Sequence, residues 1–141
     1  MIRVLIADDS AAARATLRLV LESGPLVCVC GEATCGAEAI QKAIELKPHV
    51  AVLDLRLPDR NGIEAASRIS VVVPGTLIAL ISAYPGLRVE GAISEVGVSA
   101  FFSKSEFSAL RSWILTLFTH RGRSTATPLS SFPVTPDQPV R

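Results

Sequence analysis

Short apolar runs alternate with stretches of helical periodicity along the first 120 residues. The runs cover residues 2–7, 27–31, 50–55, 77–82 and 98–102. Between them, apolar residues recur three and four positions apart, the spacing of one helix face. The first helical stretch aligns Ala13, Leu17, Val20 and Leu21 and stops at Gly24-Pro25. The second groups Ile40, Ala43 and Ile44 and ends before Pro48. The third starts near Asn61-Gly62, carries Ile63, Ala66 and Ile69, and closes at Pro74-Gly75. The fourth carries Val89, Ala92, Ile93 and Val96 and ends at Gly97. The last opens at Ser105, a suitable N-cap, with Glu106 in its first turn and Phe107, Leu110, Ile114 and Leu117 facing inward.

Strand–helix units repeated in this way predict a parallel sheet, because each helix crosses back to start the next strand in the same direction. The segments AVLDL and LIALIS are apolar on consecutive residues, which suits strands covered on both faces. The expected fold is a five-stranded, doubly wound α/β domain over residues 1–120. In such sheets a site lies outside the carboxyl ends of the strands. Residues 121–141 are rich in Ser, Thr and Pro and have no apolar period. They are expected to form a disordered tail or linker.

Composition narrows the picture further. At 141 residues and 49% hydrophobic, the chain supports one domain with a sizeable core. A formal charge of +1 gives no strong global attraction to nucleic acid or an anionic membrane. No apolar run approaches the roughly 20 residues needed to cross a bilayer. The segment MIRVLIAD lacks a signal-peptide layout, so a cytoplasmic location is expected. Cys28, Cys30 and Cys35 lack metal-ligand spacing and read as buried apolar fillers.

The informative polar residues stand at strand ends. Asp8 and Asp9 end the first run, Asp54 falls at the end of the third, Ser82 ends the fourth, and Lys104 follows the fifth. A parallel sheet brings these ends to one edge. Crowded carboxylates raise one another's pKa unless a cation sits among them. Hard oxygen ligands of this kind suit Mg²⁺, and the lysine and hydroxyl add donors for phosphoryl oxygens. Each residue also has a plainer role. Asp8 or Asp9 serves as a helix N-cap, Ser82 as a turn residue, and Lys104 as a solvated surface lysine. Asp54 is harder to place that way, since an unpaired carboxylate in a buried strand is costly.

The motifs VLIADDS, VLDLRLPDRNGIE, LISAY and AFFSKSE resemble the response-regulator receiver family of two-component signalling, of the chemotaxis-regulator type. The resemblance covers residues 2–119. It implies a flavodoxin-like sheet of strand order 2-1-3-4-5. It implies Asp54 as the phosphoacceptor and Asp8 and Asp9 as the acidic pair, with Asp9 the direct Mg²⁺ ligand. The backbone carbonyl of Arg56 would complete the metal ligands with Asp54. Ser82 would be the hydroxyl that moves to the phosphoryl group, and Lys104 the lysine that pairs with it. Pro58 and Gly62 match the loop after the acceptor strand, and Ala83 is small, as a residue beside the phosphate path should be. The implied partners are a histidine kinase or phosphotransfer protein. A homodimer through the fourth helix, fifth strand and fifth helix is a further expectation, with no direct nucleic-acid or membrane contact. The implied role is a signalling switch rather than an enzyme: it catalyses its own phosphorylation and slow autodephosphorylation.

Four positions depart from the family pattern. Ser105 follows the lysine where proline is common. Phe101 holds the aromatic switch position without a hydroxyl. Arg56 and Tyr84 hold the two positions that tune phosphoryl lifetime, and both are bulky. Three other readings compete. The chain could be a receiver cut from a DNA-binding transcriptional regulator. An aspartyl-nucleophile phosphohydrolase would place an Asp two residues after the nucleophile, where Arg56 stands. A flavin-binding module would need open backbone donors after the first strand, where DDSAA presents acidic side chains.

Overall fold

The computed structural model describes residues 1–83 and 97–121. The predicted fourth helix, Tyr84 and the tail from 122 lie outside the described residues. Five strands form one sheet: β1 (Ile2–Ala7), β2 (Val27–Ala33), β3 (Val50–Asp54), β4 (Leu77–Ser82) and β5 (Ala100–Ser103). Their order is β2-β1-β3-β4-β5 and every pairing is parallel, as expected. The helices are α1 (Ala11–Leu21), α2 (Gly36–Leu46), α3 (Gly62–Val72) and a C-terminal helix (Phe107–Arg121).

Alternation along the strands builds two cores, because successive side chains leave opposite faces of a sheet. Val4, Ile6, Val52 and Ile81 pack with Leu17 and Leu21 of α1 and Leu110 and Ile114 of the C-terminal helix. Leu5, Leu53 and Leu80 point the other way, against Ala39 and Ala43 of α2 and Ala65, Ala66 and Ile69 of α3. β3 is central and wholly buried, which explains its unbroken apolar run.

Two helix starts follow from local side chains. Ser10 caps α1 by accepting from the Ala13 amide at 3.1 Å, and Asn61 caps α3 by accepting from the Glu64 amide at 2.9 Å. Neither Asp8 nor Asp9 is the N-cap of α1. The loop into α3 is closed by the Gly62 amide donating to the Leu55 carbonyl at 2.6 Å. A Cβ on Gly62 would fall on the Asp54 carbonyl oxygen, so only glycine permits this approach.

Several local expectations change. The buried line of α2 is Gly36, Ala39 and Ala43, while Ile44 is exposed. β2 runs on to Ala33, and β5 starts at Ala100 and ends at Ser103. Ser105 is not the N-cap of the last helix. That helix starts at Phe107, the Glu106 carbonyl accepts its first intrahelical bond from Leu110, and the Ser105 hydroxyl lies 2.9 Å from that of Ser103. The cysteines are free but only half-buried. Cys28 and Cys30 sit on β2, a sheet edge with no neighbour on one side, and Cys35 lies in the turn before α2.

Candidate functional site

The carboxyl ends of β1, β3, β4 and β5 bring the expected polar residues to one edge of the sheet. Asp8 follows β1 directly and is almost wholly buried. Its amide donates to the Ala33 carbonyl at 3.0 Å, and its Oδ1 accepts from the Ser10 amide at 2.9 Å. Asp9, the next residue, is exposed. Asp54 closes β3, is 6% exposed, and takes the Arg56 amide on Oδ1 at 3.1 Å. One carboxylate oxygen from each of Asp8, Asp9 and Asp54 lies within 4.8 Å of the others.

Lys104 enters the same space from the end of β5. Its Nζ stands 2.6 Å from Asp8 Oδ2 and 3.0 Å from Asp54 Oδ2. Its own amide donates to the Ser82 carbonyl at 2.8 Å, which fixes the lysine against the end of β4. Ser82 is 1% exposed, so it is no surface turn residue, and Lys104 is no solvated lysine. Ala83, next to Ser82, is exposed. Phe101 is half-buried against the core under α2 and α3.

The electrostatics follow from this crowding. Burial pushes the Asp54 carboxyl above its ordinary value; the Arg56 amide and Lys104 pull it back, and Asp8 adds to the rise. Burial works against the Lys104 ammonium, but the Asp8 and Asp54 carboxylates outweigh it and raise its pKa. One ammonium pairs with two of the three carboxylates, so the pocket keeps an excess of negative charge. A hard divalent cation fits that donor set, and the three oxygens stand close enough to share one.

The family model for the response regulator receiver domain matches residues 4–114. The chain belongs to the response-regulator receiver family. The receiver is therefore a phosphoacceptor signalling module of two-component systems. The protein-glutamate methylesterase/protein-glutamine glutaminase of Thermotoga maritima is 45% identical over 82 residues, 58% of this chain and 24% of that protein. The chemotaxis protein CheY of the same organism is 41% identical over 81 residues, 57% of this chain and 67% of that protein. Among solved structures, the response regulator domain of Thermotoga maritima CheB aligns at a TM-score of 0.72 and 34% identity. That match covers 82% of this chain and 92% of the other. The receiver spans 24% and 32% of the length of the first two methylesterase relatives. No helix among the described residues is long and apolar enough to cross a membrane.

Two residues that shape the receiver's pocket escaped the sequence reading. Arg14 donates to the Asp8 carbonyl at 2.8 Å. Asp59 accepts from the Gly36 and Ala37 amides at 2.6 and 2.9 Å, and so caps α2 from the loop after β3. Cys35, at the N-cap position of α2, makes no side-chain cap bond of its own. Both bonds join residues whose partners lie on the backbone, which leaves no mark in the apolar spacing of the sequence.

Proposed function

We propose that Asp54 accepts a phosphoryl group from the phosphohistidine of a histidine kinase or phosphotransfer protein. A carboxylate oxygen of Asp54 attacks phosphorus. The new O–P bond forms as the donor N–P bond breaks, and the electron pair leaves on the imidazole nitrogen. The observation that carries this reading is Lys104 joined to both Asp8 and Asp54 beside a triad of carboxylates. A Mg²⁺ ion held by Asp8, Asp9, Asp54 and the Arg56 carbonyl would offset charge on the phosphoryl oxygens. Asp9 would be the direct acidic ligand of the pair, being exposed while the Asp8 carboxylate is tied to the Ser10 amide and Lys104.

The chain's own residues then read the new charge. Lys104 follows the negative charge from the bare carboxylate to a phosphoryl oxygen. The Ser82 hydroxyl donates to the same group, and Phe101 turns into the space released. This biases the face formed by the predicted fourth helix, β5 and the C-terminal helix, where an output partner or a second copy docks. The receiver acts as a cytoplasmic switch over residues 1–120, with 121–141 as tail or linker, and touches neither nucleic acid nor membrane itself. Its only chemistry is its own phosphorylation and slow dephosphorylation. Arg56, exposed and cationic two residues after Asp54, speaks against an aspartyl phosphohydrolase.

Incubation with acetyl phosphate and Mg²⁺, followed by intact-mass measurement, tests the assignment. One phosphoryl group is gained by the wild type and none by Asp54→Asn. Equal gain in the variant would remove Asp54 from the role.

A further inference from the structure

We infer that Arg14 is a positioning residue for the divalent-cation site, acting on Asp9 through the Asp8–Asp9 peptide plane. The inference rests on the cation site proposed above. Asp8 and Asp9 lie in the turn between β1 and α1, where the Asp8 amide donates to the Ala33 carbonyl at 3.0 Å. The Asp8 carbonyl oxygen belongs to the rigid peptide unit that also contains the Asp9 nitrogen and Cα. Arg14 Nη1 donates to that oxygen at 2.8 Å. Fixing the oxygen therefore fixes where the Asp9 Cα stands, and so limits the space its carboxylate can reach. The Asp8 side chain is already held by the Ser10 amide and Lys104. Asp9 is exposed and has the most freedom to lose.

The guanidinium is itself held. Arg14 Nε donates to Glu32 Oε1 on β2 at 2.8 Å, and its side chain is only 17% exposed. The same carboxylate is shared with Arg18, which lies 2.8 Å from Glu32 Oε2. Glu32 thus partly offsets the charge of Arg14, and the arginine's contribution to the site is its fixed geometry. A planar fork can hold a carboxylate and a carbonyl at once in fixed directions, which an ammonium cannot. Residues of this kind, one step behind the metal ligands, commonly govern affinity by tenfold or more.

Arg18 provides the control, because it shares Glu32 but does not touch Asp8. The test is Mg²⁺ titration by calorimetry on the full chain, comparing wild type, Arg14→Ala, Arg14→Lys and Arg18→Ala, with circular dichroism confirming each fold. Arg14→Ala and Arg14→Lys should each bind about tenfold more weakly, and Arg18→Ala should bind as wild type does. Arg14→Lys keeps the charge and serves if the alanine variant unfolds. Wild-type affinity in Arg14→Lys, or an equal loss in Arg18→Ala, would overturn the positioning role while leaving the cation site standing. Absence of Mg²⁺ binding by the wild type would overturn the site itself.

Discussion

Lys104 donates to Asp54 Oδ2 at 3.0 Å although fifty residues of chain separate them. The same ammonium lies 2.6 Å from Asp8 Oδ2. A cation divided between two buried carboxylates partly offsets the charge that the pocket gathers for another purpose. The balance is incomplete, and the following outcomes measure how incomplete it is.

Metal binding should stabilise the native chain. A ligand that binds only the folded state adds about 2.7 kcal/mol at a hundredfold excess over its dissociation constant. Thermal melts in EDTA and in millimolar Mg²⁺ should separate for the wild type. In Asp9→Ala they should coincide. Coincident wild-type melts would argue against the site.

Asp54→Asn should melt higher than the wild type when metal is absent. Burial raises the Asp54 pKa in the folded state, so the native chain binds this proton more tightly than the unfolded chain. Ionised Asp54 therefore costs stability at neutral pH, and that cost fades as pH falls through the raised pKa. The amide removes the charge and leaves Lys104 its bond to Asp8. A lower metal-free melting temperature would show that the Asp54–Lys104 bond outweighs the burial cost.

Glu32 has the opposite sign. Hydrogen bonding to Arg18 leads the causes that hold its carboxyl below the ordinary range, with Arg14 assisting. A depressed folded pKa stabilises the native state above the unfolded value and loses that effect as pH falls through the folded one. Urea midpoints of the wild type and Glu32→Gln should differ at neutral pH and converge in acid. A gap that persists in acid would point to packing rather than charge.

Gly62→Ala should destabilise the chain by roughly 1–3 kcal/mol, the usual cost of forced overpacking. The added methyl meets the backbone at Asp54 and Leu55, which no side-chain rotation relieves. Because the clash falls on Asp54, the proposed acceptor, phosphorylation should slow together with stability. Denaturant midpoints and acetyl phosphate labelling measure the two effects. An unchanged midpoint would mean that the loop relaxes without moving β3.

Much of this pocket was legible because the signals were local. Asp54 at the end of an unbroken apolar strand had no other good explanation, and the parallel alternation placed Asp8, Ser82 and Lys104 beside it. Asn61 could be read as marking the start of α3 because its cap bond spans three residues. Asp59 caps α2 across 23 residues, and Arg14 holds a backbone carbonyl, so neither leaves a periodic trace. Ser105 misled for a related reason. The hydroxyl that suits an N-cap is taken by Ser103, and Glu106 turns its side chain back to the Ser103 amide at 3.0 Å.

Lys104→Ala separates chemistry from response. The acceptor oxygen and the acidic ligands remain, so Asp54 should still be phosphorylated, though more slowly. Removing the ammonium leaves Asp8 and Asp54 unscreened, so Mg²⁺ should stabilise this variant more than it stabilises the wild type. The conformational response should shrink. An ammonium against a phosphoryl oxygen forms a charge-assisted bond, stronger than a neutral one. Its loss should cost the active arrangement roughly 1–3 kcal/mol, the usual size of a coupling energy. That matters in a switch whose states differ by only a few kcal/mol. Lys104 is also the covalent extension of β5, held to β4 through the Ser82 carbonyl. A pull on its side chain should therefore reach Phe101 and the start of the C-terminal helix. Hydrogen exchange over residues 98–117, compared before and after phosphorylation at equal occupancy, reads this directly. Wild type should change across that segment and Lys104→Ala much less. Equal changes in both would leave Ser82 to carry the signal without the lysine.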